Sequence, residues 1–267
     1  MATKILITGA GSGFGEGTAL GLARQGYDVI AGVQISPQVT ELRGRAMTEG
    51  LPNLRVEKLD LRDEFDIAQA HSWDIDILFN NAGIGESGPL AEVPLPLVRS
   101  NFETNLFAPL ALTQGFVRKW IHERKEAKIV FTSSIAGLMT REGTAVYSAT
   151  KHALEAVAQG LREELRPYGI KVQTINPGPY FTGFNERMAE TAFRWLDDSW
   201  NFTKREELGR LFARRFQPDS MRLDPAEAIA EMVRIVPSTE GKFRNVVPAA
   251  LGDMLRQHEQ EAWDATI

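Results

Sequence analysis

A chain of 267 residues with a formal net charge of −5 lacks the basic surface that nucleic acid or an anionic membrane demands of a general binder. Its hydrophobic content of 43% and charged content of 24% suit an ordinary globular protein, and the absence of cysteine removes disulfides, thiolate metal sites and cysteine nucleophiles together, as befits a reducing cytoplasm. The histidines (His71, His122, His152, His258) are scattered without metal-ligand spacing, no run nears the roughly 18 apolar residues of a membrane span, and the N-terminal stretch lacks a secretory signal's apolar region.

Short apolar, β-branched runs alternate with longer helical patterns from the start of the chain. A strand over Lys4 to Thr8 leads into Thr8-Gly9-Ala10-Gly11-Ser12-Gly13-Phe14-Gly15 and a helix over Phe14 to Gln25. A strand over Asp28 to Val33, a helix over Pro37 to Glu49, a strand over Leu54 to Lys58 and a short helix near Phe65 to Ala70 follow. Next come a strand over Ile75 to Phe79, one long helix over Leu95 to Arg124, a strand over Lys128 to Thr132, a helix over Thr144 to Arg166 and a strand over Lys171 to Ile175. The chain closes with a helix over Asp224 to Val236 and a strand over Phe243 to Val247.

Parallel strands need crossover connections, and helical crossovers cover both faces of the sheet. The pattern therefore predicts an α/β fold, a doubly wound Rossmann-type parallel sheet of about seven strands in a single domain spanning 1–267. Residues 180–216 are too long for a simple connection and read as an insertion within it. The insertion is rich in aromatics: Tyr180, Phe181, Phe184, Phe193, Trp195, Trp200, Phe202, Phe212 and Phe216.

Glycines after a strand and before a helix let backbone N–H groups approach a pyrophosphate at the positive end of the helix. The usual GxGxxG spacing is absent, so the loop alone is compatible with a dinucleotide site or with a plain turn. Further along, Tyr147 and Lys151 stand at i and i+4, on one helical face, so both can reach one ligand. A nearby ammonium favours a phenolate, which would bring the tyrosine below its usual pKa near 10 and into the range of acid/base work. Ser134 ends a strand, where a hydroxyl can hydrogen-bond a substrate oxygen, and no histidine or acid is arranged to make it a nucleophile.

TGAGSGFG resembles the TGxxxGxG loop of the short-chain dehydrogenase/reductase family. The resemblance continues in order through Asp60, Asn80-Asn81-Ala82-Gly83, Asn105, Ser133-Ser134, Tyr147-x-x-x-Lys151 and Pro177-Gly178 with Thr182, covering about 5–182 closely and the rest loosely. It implies a nicotinamide cofactor bound by Gly9, Gly11, Ser12, Gly13, Phe14, Gly15, Gln34, Asp60, Leu61, Asn81, Ala82, Gly83, Tyr147, Lys151, Pro177, Gly178 and Thr182. It implies catalysis by Ser134, Tyr147 and Lys151, with Lys151 also on the nicotinamide ribose and Asn105 holding a water that relays protons.

By this resemblance the chain is an alcohol dehydrogenase or carbonyl reductase, paired through its two long helices into a homodimer or homotetramer. The family's acidic position at the end of the second strand falls on Val33, with Gln34 next to it. Without an acid to repel a 2′-phosphate, the expectation tips toward NADP(H), with Gln34 and Ser12 as contacts; without an arginine, NAD(H) stays open. The aromatic insertion suggests an apolar or aromatic ketone or secondary alcohol, with Tyr180, Phe184, Trp195 and Met139 as candidate walls and Arg141 and Glu142 beside Met139; the same aromatics could equally anchor the insertion. Two other readings remain: a dinucleotide-binding scaffold without turnover, and an epimerase, dehydratase or lyase on the same fold.

Overall fold

Alternation along each strand decides which layer a side chain enters. In β1 (Lys4–Thr8) Ile5 and Ile7 enter one core and Leu6 the other; in β4 (Ile77–Asn80) Phe79 and Leu78 divide the same way, as do Val130 and its neighbours Ile129 and Phe131 in β5 (Ala127–Thr132). With both faces apolar, these strands are stable only between two helical layers.

The computed structural model describes residues 2–215 and 223–266. All strand pairings are parallel. With β2 (Asp28–Val33), β3 (Leu54–Lys58), β6 (Ile170–Pro177) and β7 (Arg244–Val247), the seven-stranded order is β3-β2-β1-β4-β5-β6-β7. One face packs on α1 (Gly13–Arg24), α2 (Ser36–Thr48) and α9 (Pro225–Ile235), and the other on α3 (Glu64–Ala70), α5 (Ala108–Glu123) and α6 (Ala145–Leu165). The doubly wound sheet expected from the sequence is the fold.

Three elements differ from the sequence expectation. The long helix over Leu95 to Arg124 is two helices, α4 (Leu95–Phe102) and α5, joined by a π-helical turn at Glu103–Phe107. Pro109 has no N–H for the Asn105 carbonyl, so the regular ladder cannot continue there. The insertion, read from the sequence without elements of its own, holds α7 (Phe184–Thr191), a 3-10 turn at Ala192–Arg194 and α8 (Arg205–Arg215). A terminal helix, α10 (Leu251–Trp263), went unread because only Leu255 of it is buried and its other face is charged. Phe216, expected as the end of the insertion, lies outside the described residues.

The insertion carries its own core. Ala192, Leu196, Leu208 and Phe212 are buried together with Phe193, Trp195 and Leu211 packed around them, separate from the two clusters of the sheet. Trp200 and Phe202 are exposed.

Candidate active site

Successive strands leave β1 in opposite directions, and the crevice this opens at their carboxyl ends is a cavity of about 820 Å³. Gly9, Gly11, Ser12, Gly13 and Phe14 line one side of it. Gly9 (φ +66°) permits a close approach: a Cβ there would lie 2.7 Å from the Ala82 Cα. Gly15 faces away from the cavity and serves packing, since a Cβ on it would lie 2.3 Å from the Gly9 carbonyl oxygen. Ser12, the N-cap of α1, makes no side-chain cap, so first-turn N–H groups remain for an anion.

A small lattice ties the strand ends together. The Thr8 hydroxyl accepts from the backbone N–H groups of Asn81 (3.0 Å) and Ala82 (3.1 Å). The Asn81 side chain donates to the Thr8 carbonyl (3.1 Å) and accepts from the Thr132 hydroxyl (3.2 Å), joining β1, β4 and β5. Ala82 and Gly83 follow on the cavity wall, and Pro177, Gly178 and Thr182 close it from β6.

Gln34, Asp60 and Leu61 line the far end, where Val33 is fully buried and offers no carboxylate. Gln38 and Arg62 line it too and were not singled out in the sequence. The Gln38 side chain accepts from the Gln34 and Ile35 N–H groups (3.1 and 3.2 Å) and lies against Gly11.

At the deep end stand Ser134, Tyr147 and Lys151. The Ser134 hydroxyl accepts from the Ala136 N–H (3.1 Å) and donates to the Pro177 carbonyl (3.5 Å). Lys151 donates to the Thr132 carbonyl (2.8 Å), with its Nζ 5.7 Å from the centre of the Tyr147 ring. Burial pushes the Tyr147 phenol up to about 12, opposed by the Ser134 hydroxyl, and pushes Lys151 down to about 8, opposed by the Glu155 carboxylate. Both groups are buried, and burial disfavours both charged forms.

Asn105 sits in the π-helical turn and does not line the cavity. Its side chain accepts from the Ile84 N–H (2.8 Å) and donates to the Ile84 carbonyl (2.8 Å) and the Thr150 hydroxyl (3.0 Å), fastening the loop after β4 to α6. A Cβ on Gly83 would lie 3.2 Å from the Asn105 Oδ1 and 3.7 Å from the Lys151 Nζ, so the missing side chain leaves a gap between them.

Of the candidate substrate walls, Tyr180 and Phe184 line the cavity, with Phe184 centred 5.4 Å from the Tyr147 ring. Met139, Glu142 and Trp195 do not, while Arg141 does. Ile84, Glu86, Arg187, Met188 and Arg194 are further lining residues that no motif marked. Among the described residues no helix is long and apolar enough to cross a membrane, and no group of three His, Asp or Glu is placed to hold a metal.

A parallel sheet wound outward from a glycine loop and a helix N-terminus defines a dinucleotide-binding Rossmann-type fold. The chain belongs to the short-chain dehydrogenase family, whose model matches residues 3–192. The uncharacterized oxidoreductase YbbO of Escherichia coli is 38% identical over 192 residues, covering 72% of this chain and 71% of that one. A short-chain dehydrogenase/reductase from Burkholderia phymatum, solved in complex with NAD, shares the fold with a TM-score of 0.79 at 22% identity, over 99% of this chain and 96% of that one. Actinorhodin polyketide ketoreductase, solved with NADPH, gives a TM-score of 0.76 at 26% identity, over 94% and 98%.

Proposed function

We propose that the protein transfers hydride between a nicotinamide dinucleotide and a ketone or secondary alcohol. The observation that carries this reading is one cavity with the glycine loop and the open end of α1 on one side and Ser134, Tyr147 and Lys151 at its deep end. The glycine loop and the uncapped helix fit a pyrophosphate, and the crevice continues to the Tyr147 hydroxyl, so the residues suit the cofactor. When bound, the nicotinamide supplies or takes the hydride at the substrate carbon.

The chain's own residues handle the oxygen. Ser134 orients it and stabilises charge growing on it. Tyr147, kept protonated by burial, donates its hydroxyl proton to a carbonyl oxygen in the reducing direction and accepts the alcohol's proton in the other. Lys151, at i+4, holds the cofactor ribose and its ammonium stabilises the phenolate that forms. The gap at Gly83 leaves room for a relay water between Asn105 and Lys151.

NADP(H) is the preferred cofactor in this reading: the end of β2 carries no carboxylate, and Gln34 and Ser12 face the cavity. Apolar walls at Ile84, Phe184 and Met188 favour a substrate with apolar surface next to its reacting carbon. A homodimer or homotetramer working in the cytoplasm completes the reading. Nicotinamide absorbance, followed over a panel of ketones and alcohols with each cofactor, tests it. Tyr147→Phe is expected to lower kcat/KM roughly a thousandfold with cofactor affinity nearly unchanged. Retained turnover would sink the mechanism, and a higher kcat/KM with NADH would overturn the cofactor preference, which Gln34→Arg should strengthen.

A further inference from the structure

The aromatic segment expected to make an apolar substrate wall spends most of its rings elsewhere. Phe193 and Phe212 pack edge to face inside the insertion's own core, with centroids 6.3 Å apart, and Trp195 packs against that core and Gly88. Of its aromatics among the described residues, only Tyr180 and Phe184 reach the cavity. Arginine stands in the lining instead.

Two of these arginines, Arg141 and Arg194, come from different parts of the chain and are drawn to one place by the loop after β4. The Gly88 N–H donates to the Gly143 carbonyl (2.8 Å), which brings the segment of Arg141 beside that loop. The Ser87 N–H donates to the Thr191 hydroxyl (2.9 Å), and the Ala192 N–H donates to the Ser87 hydroxyl (3.4 Å), which does the same for the turn of Arg194. Both side chains are exposed, both line the cavity, and neither makes an ion pair among the described residues. Glu86, the carboxylate that lines the cavity near them among the described residues, is buried and accepts from the Trp195 indole (3.4 Å). Arg187 is set apart, its Nη1 2.8 Å from where a Cβ on Gly183 would stand, next to Thr182.

We propose that Arg141 and Arg194 form an anion-binding subsite at the outer end of the substrate pocket, and that the substrate carries a carboxylate or phosphate separated by an apolar stretch from its reacting carbonyl. The proposal rests on the carbonyl-reductase reading of the same cavity. Guanidinium is the side chain suited to such a group, because its planar fork binds carboxylate and phosphate bidentately and stays charged at any working pH. In a chain of net charge −5, two guanidinia at a pocket mouth with no ion pair among the described residues also make a local field opposite to the molecule's overall sign. Ile84, Phe184 and Met188 line the apolar stretch between the two ends.

The test separates this subsite from the chemistry. The protein saturated with NADP+, and separately with NAD+, is titrated calorimetrically with levulinate, with its longer methyl-ketone acid homologues and with the methyl ester of each; the oxidised cofactor cannot reduce a ketone, so binding is read alone. At the best chain length the acid is expected to bind about tenfold tighter than its ester, and in Arg141→Gln/Arg194→Gln that advantage falls to within about twofold while ester affinity is kept. Acetoacetyl-CoA against the neutral acetoacetyl N-acetylcysteamine thioester supplies the phosphate arm, so an advantage confined to one arm names the source of the anion. Equal affinity of charged and neutral probes in both arms, or an advantage that survives the double substitution, overturns the proposal. An arginine-dependent advantage without reduction of any probe by NADPH or NADH keeps the subsite and fells the oxidoreductase reading; reduction of esters and acids alike without the advantage does the reverse.

Discussion

Glu155 stands one further turn along the face that carries Tyr147 and Lys151, and all three are buried. Its carboxylate accepts from the Arg244 Nε (2.9 Å) and from the Asn176 side chain (2.6 Å), and Asn176 in turn donates to the Ser134 carbonyl (3.1 Å). One acid therefore braces the backbone of the substrate serine and opposes the burial that discharges the lysine. Lys151, pushed down to about 8, is an ammonium below that pH and an amine above it, whereas Tyr147, pushed up to about 12, stays a phenol throughout. Reductive kcat/KM is accordingly expected to fall as pH rises through about 8. Glu155→Gln removes the charge that opposes burial, so the pKa of Lys151 drops further and the fall moves to lower pH. A limb left in place by that substitution would show that Lys151 does not set it.

At the scale of elements, the joint between β1, β4 and β5 is the part on which the crevice depends. Thr8 is fully buried and its hydroxyl answers two backbone N–H groups of the loop after β4. Thr8→Val keeps the shape and strands both donors, so chemical denaturation should register a loss of about 2 kcal/mol. Cofactor affinity should weaken with it; an unchanged stability would mean that the two N–H groups find other partners. Most strands were legible in the sequence because both their faces are buried and apolar runs need no partner to be noticed. The glycine loop, Asn81 and Ser134 were legible because each belongs to a motif tied to a strand end, and Tyr147 and Lys151 because their spacing puts them on one helical face. Pro109 marks the break of the long helix in the sequence, but the bonding of the Asn105 side chain to Ile84 was not legible: it lies across the fold, and periodicity sees only neighbours along the chain. Nor were Glu86, Arg187 and Arg194, which reach the cavity through hydrogen bonds between loops distant in sequence, while Trp195 was read as wall and is core.

For the whole molecule, both expected pairing helices present outer faces of small and polar residues, with one exposed ring at the start of α5. Phe107, Ala111 and Gln114 are exposed around the start of α5, and Ala149, His152, Ala156 and Gln159 along α6. Small residues allow two helices to approach closely, so sedimentation is expected to find dimers or tetramers. Ala149→Arg with Ala156→Arg should yield monomers with the native circular dichroism; an unaltered assembly would place the contact on another face. The insertion raises a different matter. The turn after α7 and the helix α8 pack their apolar residues largely within their own cluster, while of α7 Phe184 leans on Tyr147 and Met188 on Gly85, so substitutions in the turn and α8 leave both layers of the sheet untouched. The chain thus separates what it does from what it does it to: the machinery for the oxygen is held by the sheet, and the gatehouse can be rebuilt for a new guest without rebuilding the house.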